Sequence, residues 1–223
     1  MNEGANPRRE LLVGIAGGLG MSLSVEAADR LLGYLDLLHR WNATYNLTAV
    51  RDPDEMLTQH LADCLAVVAP MRQALSAVAR PRVLDVGSGG GLPGVVVAAL
   101  CPDWQVVCVD TVGRKAAFIQ QVALELKLPN LRAEHARVEK LAAGHFDLVT
   151  SRAFASLADF VRLTRQHLAE QGVWMAMKGK RPDDEQRDLP ADVEVFHVEQ
   201  LDVPGLQAER CLVWMRPHRP PKE

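Results

Sequence analysis

No run of about 18 apolar residues interrupts the chain, so no membrane-spanning helix is expected. Arg8-Arg9-Glu10 leads into an apolar run over 11–16, but Gly17-Gly18 breaks it too early for a signal peptide. Four cysteines are present, Cys64, Cys101, Cys108 and Cys211, with no C-x-x-C pair and no zinc-like spacing. Their placement suits a reducing cytoplasm, and Cys108, inside an apolar run, is expected to pack as a small hydrophobe. Neither a metal site nor a membrane partner is expected, and the protein is expected to be a cytoplasmic monomer. The formal net charge of −3 excludes indiscriminate coating of nucleic acid, although a local basic patch can still recognise RNA. There is no internal repeat, low-complexity segment or interdomain linker. What remains is a chain of 223 residues, 48% hydrophobic and 24% charged. That is an ordinary globular composition, long enough for one α/β domain with a full core and an appendage.

The chain is organised around residues 82–94. Val83, Leu84 and Val86 form a short apolar run suited to a strand buried on both faces. Glycines then allow a sharp turn and close approach to a ligand, and Pro93 suits the first residue of a following helix. Strand, glycine loop and helix N-terminus together open a nucleotide-binding α/β unit. Two registers fit the loop. Gly89, Gly91 and Gly94 match the dinucleotide pattern G-x-G-x-x-G, whereas Asp85, Gly87, Gly89 and Gly91 match acid-x-G-x-G-x-G. A carboxylate at the strand end would repel a pyrophosphate. It would attract the ammonium and sulfonium of S-adenosylmethionine (SAM), which makes SAM the favoured ligand over NAD. Residues 105–110 read as a second strand ending in Asp110, placed to accept ribose hydroxyls or else to cap the next helix.

Before this unit, residues 1–10 are polar and expected to fray, and residues 10–19 suggest a short helix. A longer helix is expected over 25–41, with Ser24 as its N-cap, followed by a polar loop at 42–48. A third helix begins at Asp52-Pro53, with His60 and Asp63 three residues apart on it. Residues 1–80 are thus a helical segment packed on a core at 81–216. In that core, strands are expected at 82–86, 105–110, 131–135, 146–150, 173–177, 193–198 and 210–215, with helices at 114–126 and 157–170. The last two strands permit a closing antiparallel pair, and residues 217–223 read as a disordered tail. This order looks like the class I SAM-dependent methyltransferase fold, an α/β, Rossmann-like, mostly parallel sheet of seven strands.

Several stretches together resemble the ribosomal RNA small-subunit methyltransferase G (RsmG, or GidB) family. They are Trp41-Asn42 with Tyr45-Asn46-Leu47-Thr48, Arg51-Asp52-Pro53, His60-Leu61-Ala62-Asp63, the glycine loop, Arg137-Val138-Glu139, Ser151-Arg152-Ala153-Phe154-Ala155 and Lys178-Gly179. The resemblance spans roughly residues 30–215. It implies transfer of a methyl group from SAM to N7 of a single guanine of 16S ribosomal RNA, with the RNA or the small ribosomal subunit as partner. Carried over by position, Gly87, Leu92, Val138, Glu139 and Arg152 would hold the cofactor, and the sequence argument adds Gly89 and Asp110. Cys64 stands where the resemblance leads one to expect serine.

Guanine N7 has an in-plane lone pair and no proton, so its methylation needs no general base and no catalytic acid or base is assigned. Orientation of donor and acceptor carries the rate. The major groove of A-form RNA is too narrow to admit a protein site, so the target must be a loop, an opened helix or a flipped base. Candidate substrate contacts are Arg152, Phe154, Lys178, Asn46 and His60, with Lys180, Arg181 and Arg51 as phosphate contacts. Structural roles compete with these. Arg152 could pair with Asp85 or Glu139, His60 could bond Asp63, Phe154 and Trp41 could be core, and the Lys178–Arg181 cluster could be a solvated turn. At the level of function the alternatives are methylation of a small molecule or protein, NAD-dependent oxidoreduction, and RNA binding without catalysis.

Overall fold

The central strand β1 (Arg82–Val86) is flanked on both sides by parallel neighbours, as its apolar run requires. The computed structural model describes residues 6–152, 154 and 156–218. Among these a seven-stranded sheet runs in the order β3-β2-β1-β4-β5-β7-β6. Its parallel members are β1, β2 (Gln105–Asp110), β3 (Leu131–His135), β4 (Phe146–Ser151) and β5 (Leu168–Lys178). β7 (Arg210–Pro217) is antiparallel to both β5 and β6 (Val193–Leu201), so the expected closing pair is present.

One face of the sheet is covered by α6 (Gly94–Leu100), α7 (Gly113–Glu125) and the helices that precede the sheet. Those helices are α1 (Pro7–Gly18), α2 (Val25–Tyr45), α3 (Pro53–Met56), α4 (Asp63–Leu65) and α5 (Val68–Ala74). Leu31, Leu35 and Leu38 of α2 share one buried cluster with Val95 and Val97 of α6, Phe118 of α7, and Val83 and Leu148 of the sheet. The helices that precede the sheet therefore contribute to the sheet's own core. The opposite face packs Leu84, Val86, Val149, Trp174 and Val213 against Phe160 and Val161 of α8 (Leu157–Thr164). None of the described helices is long and apolar enough to cross a membrane.

Several boundaries differ from expectation. α1 begins at Pro7, not residue 10, because the Asn6 side chain accepts from the Arg8 and Arg9 amides and Pro7 suits the first turn. α2 continues to Tyr45 through part of the expected loop, and Asn46 ends it in the left-handed region at φ 48°. Asn42 stays in the helix because its amide turns onto the chain beyond, accepting from the Thr48 amide and donating to the Val50 carbonyl. The helix expected over 157–170 stops at Thr164, and residues 168–172 join β5, where Leu168 pairs with Phe146. Tertiary pairing with β4 overrides the local preference of that polar stretch. The expected tail is shorter at its start, since Pro217 belongs to β7 and the His218 amide donates to the Asp192 carbonyl. The expectations for residues 1–5, Ala153, Ala155 and 219–223 lie outside the described residues.

The helix that follows the glycine loop approaches the sheet closely. A Cβ on Gly94 would collide with Cys108 Sγ and crowd Asp85 Oδ2 at 3.0 Å. Gly94→Ala should cost about 1–3 kcal/mol. At roughly 2–4 °C per kcal/mol for a chain of this size, calorimetry should show Tm lowered by several degrees, whereas an unchanged Tm would mean that the approach is looser than described.

Candidate functional site

Three adjoining cavities line the carboxyl ends of the parallel strands, where ligands bind in open α/β sheets. The first, of about 370 Å³, lies beside Gly87, Asp110, Val138, Glu139 and Phe154. The second, of about 170 Å³, lies over Gly87, Gly89 and Leu92, with Tyr34, Thr48 and His60 opposite. The third, of about 370 Å³, is bounded by His60, Asp63, Arg152, Lys178 and Arg210. Gly87 and Lys115 border both the first and second, and His60 and Arg152 border both the second and third. The three therefore lie side by side in one cleft region along the strand ends. A larger cavity of about 690 Å³, beside Arg80, Gln105 and Arg132, opens at the other end of the strands, away from the glycine loop.

Two strand-end carboxylates hold the loop. Asp110 accepts from the Gly89 amide through Oδ2 and from the Val112 amide through Oδ1, each at 2.9 Å. Each oxygen keeps a lone-pair direction for a ligand hydroxyl. Gly87 and Gly89 have φ of 66° and 58°, a region that suits glycine, and the space beside Gly89 is open where a Cβ would stand. From α2, the Tyr34 hydroxyl donates to the Gly90 carbonyl at 2.8 Å.

Asp85 corrects the sequence reading. It was expected to face the ligand, but it is fully buried beneath the loop, and its Oδ2 accepts from the Gly94 amide at 2.9 Å. Strand alternation turns it to the same face as Cys108 and Thr150, its partners in register on β2 and β4. Burial pushes its carboxyl up from 3.8 to about 7, against the Gly94 amide and the charge of Arg152.

The third cavity is built by a break in helical geometry. Between α3 and α4, residues Leu57–Ala62 form a π-helical segment, a wide turn frequent at functional sites. His60 and Asp63 face different partners and do not bond one another as expected. His60 Nε2 lies 2.9 Å from Thr48 Oγ1. Asp63, 2% exposed, binds Arg152 at 3.4 Å through Oδ2 and the Arg210 Nε at 2.9 Å through Oδ1. Arg152 thus pairs with Asp63 and with neither Asp85 nor Glu139. Burial and the charge of Arg152 lower His60 from 6.5 to about 4, so it is neutral near pH 7.

The ribosomal RNA small subunit methyltransferase G (GidB) family model matches residues 27–213. The chain belongs to that family. A member named ribosomal RNA small subunit methyltransferase G from Leptothrix cholodnii is 61% identical over 211 residues, covering 95% of this chain and 96% of the relative. Among solved structures, TrmN from Thermus thermophilus superposes with TM-score 0.58 at 20% identity, covering 73% of this chain and 53% of TrmN. A SAM-dependent methyltransferase from Thiobacillus denitrificans, in complex with S-adenosyl-L-homocysteine, gives TM-score 0.50 at 13% identity over 68% of this chain and 90% of that one. These two likenesses place the fold among the class I methyltransferases.

With the family established, SAM is the cofactor, and the residues of this cleft have the chemistry to hold it. Beside its bonds to the Gly89 and Val112 amides, the Asp110 carboxylate has capacity to accept from ribose hydroxyls, open space beside Gly89 admits close approach, and Lys115, 3.9 Å from Asp110 Oδ2, borders the first two cavities. Of the expected cofactor residues, Gly87, Asp110, Val138 and Glu139 meet in the first cavity, and Gly89, Leu92 and Arg152 in the second. The Val138 carbonyl is fixed by the buried His167 ring, Nε2 at 2.7 Å. The substrate candidates divide. His60, Arg152 and Lys178 border the third cavity, but Phe154 lies in the first, packed 5.3 Å from Phe160. Asn46 is exposed and accepts from Arg51. Lys178 turns inward onto Glu185 at 2.8 Å, and Arg181 pairs with Asp183 at 2.8 Å, so the basic cluster is not a row of free cations. Arg210, Lys115, Thr48 and Tyr34 were missed. Helical spacing to Leu38 could have flagged Tyr34, but no local signal marks Arg210.

The buried pair Asp85 and His60 gives opposing pH effects. A carboxyl protonated more readily in the folded chain stabilises it in acid, and this is lost as pH rises from about 4 to about 7. A histidine held neutral loses stability as pH falls from about 6.5 to about 4. His60→Gln should therefore tilt the stability curve down with rising pH, and Asp85→Asn should tilt it up. Each slope is bounded by ~1.4 kcal/mol per pH unit. Urea titrations across this range check it, and a wild-type curve steeper than either variant in both directions would contradict it.

Proposed function

We propose that this protein methylates N7 of a single guanine of 16S ribosomal RNA, within the small ribosomal subunit, using SAM. The observation that carries the reading is the state of the third cavity. Asp63 is its one carboxylate among the described lining residues, and it is held between two guanidiniums. His60, with a pKa of about 4, is a weak base. The cavity therefore offers no effective proton acceptor, which suits a nucleophile with no proton to lose. Its two guanidiniums, Arg152 and Arg210, suit the O6 acceptor beside N7, the edge of guanine that arginine recognises.

When bound, SAM supplies an activated methyl group. The chain's own residues then act by position. Asp110, Val138 and Glu139 hold the nucleoside end in the first cavity, and the loop from Gly87 to Leu92 lines the middle. Arg152, fixed by Asp63, stands where the second and third cavities meet, so it can orient the base against the donor. N7 lies in the deep, narrow major groove of an A-form helix, so the guanine enters unpaired. Methylation leaves the base positively charged, and the adjoining arginines then disfavour it, which promotes release.

Mass mapping of 16S RNA from cells lacking the gene should show loss of one methylated guanine, restored by the intact gene but not by Gly87→Asp. An unchanged RNA would sink the reading. Because no proton moves, single-turnover methyl transfer should show no solvent deuterium isotope effect; a clear effect would demand a base. Asp63→Ala frees both arginines, and kcat/KM for RNA should fall on the order of 100-fold, as for other misplacements near an ångström, measured by labelled methyl incorporation.

A further inference from the structure

One aromatic group lies outside the cleft yet on the same helix stripe that borders it. Tyr34, Leu38, Trp41 and Tyr45 of α2 recur three and four apart and share a face. Tyr34 and Leu38 border the cavity over the glycine loop. Trp41 and Tyr45 border a separate open cavity of about 350 Å³ with Leu37, Arg40, Thr44 and Glu125. Tyr45 is 43% exposed. Its ring lies 5.2 Å from Trp41, which lies 5.4 Å from Phe118, which lies 6.2 Å from Tyr34, whose hydroxyl holds Gly90. The exposed ring is therefore backed by a chain of ring contacts that runs down to the loop.

The charges beside it are mixed but favour an anion at the rim. Arg40, its side chain 67% exposed, lies 3.6 Å from Glu125, and Glu125 also accepts from Gln121. Arg51 donates to Asn46, the residue next to Tyr45. Tyr45 lies seven residues beyond Leu38, about 10 Å along the helix axis. It precedes by three residues Thr48, which contacts His60 at the edge of the cleft.

We propose that Tyr45, backed by Trp41 and edged by Arg40, is a stacking platform for an unpaired base that flanks the target guanine in the substrate RNA. This rests on the function proposed above. A guanine drawn into the cleft leaves its neighbour without a stacking partner, and an aromatic face with an adjacent guanidinium replaces it. The platform then adds affinity for RNA and registers the target strand, without touching the cofactor.

Steady-state kinetics with the intact protein and small-subunit RNA test this, alongside SAM binding by calorimetry and Tm. Tyr45→Ala should raise the KM for RNA about 5-fold or more, with kcat, SAM affinity and Tm little changed. Tyr45→Phe keeps the ring and should behave as wild type. An unchanged RNA KM in Tyr45→Ala overturns the platform while leaving the methyltransferase reading intact. So does Tyr45→Phe as impaired as Tyr45→Ala, or a parallel loss of SAM affinity and Tm, which would make the ring a brace only. If the intact protein transfers no methyl group to small-subunit RNA, the proposed function fails and the platform falls with it.

Discussion

Two carboxylates at the ends of adjacent strands grip the two ends of one glycine loop, and the rest of the site depends on that grip. Asp85 holds the Gly94 amide from below, and Asp110 holds the Gly89 amide from the side. Gly87 and Gly89 take backbone conformations that other residues adopt at a cost. A loop so fixed is organised before a ligand binds, which lowers the cost of ordering it on binding. The buried Asp85 acts through the loop and not on the ligand directly, and its raised pKa follows from that position.

The helical segment ahead of the sheet completes what the sheet alone leaves open. Its core is continuous with that of the sheet, so it is held as firmly as the strands are. Through the π-helical turn at Leu57–Ala62 it sends His60 to Thr48 and Asp63 to two arginines from strands far apart in sequence. A buried carboxylate between two guanidiniums has its desolvation offset by both charges, whereas either arginine alone would be left facing the other. The pairing fixes the head groups of Arg152 and Arg210 at the third cavity.

Much of this was legible in the chain because local chemistry announced it. The run ending at Asp85, the glycines after it and Asp110 at the end of the next strand all carry spacing that backbone geometry requires, and all seven strands were placed. Ser24 and Asp52 declare helix starts by capping, and both act as caps. Failures came where distant partners decide. Residues 168–172 look helical alone and become strand because β4 offers a free edge. Asp85 looks like a ligand contact until alternation along β1 turns it inward. Arg210 carries no local mark, because its role arises only when β7 folds back beside β5 and brings it to Asp63. Phe154 reads equally as a base-stacking ring or as core, and its ring lies 5.3 Å from Phe160 at the border of the first cavity.

The division of charge along the cleft explains why a site with few catalytic groups is sufficient. At one end lie the acids Asp110 and Glu139, which the proposed function assigns to the nucleoside. At the other, Arg152 and Arg210 present guanidiniums held by Asp63 between them, while Lys178 is engaged by Glu185. On the function proposed above the nucleophile carries no proton, so the protein has only to supply alignment and donors beside it, and alignment alone can account for many orders of magnitude in rate. An enzyme of this kind has no reason to keep a titrating base in its acceptor cavity. A neutral, buried His60 bonded to Thr48 and a fully paired Asp63 are what that requirement leaves in place.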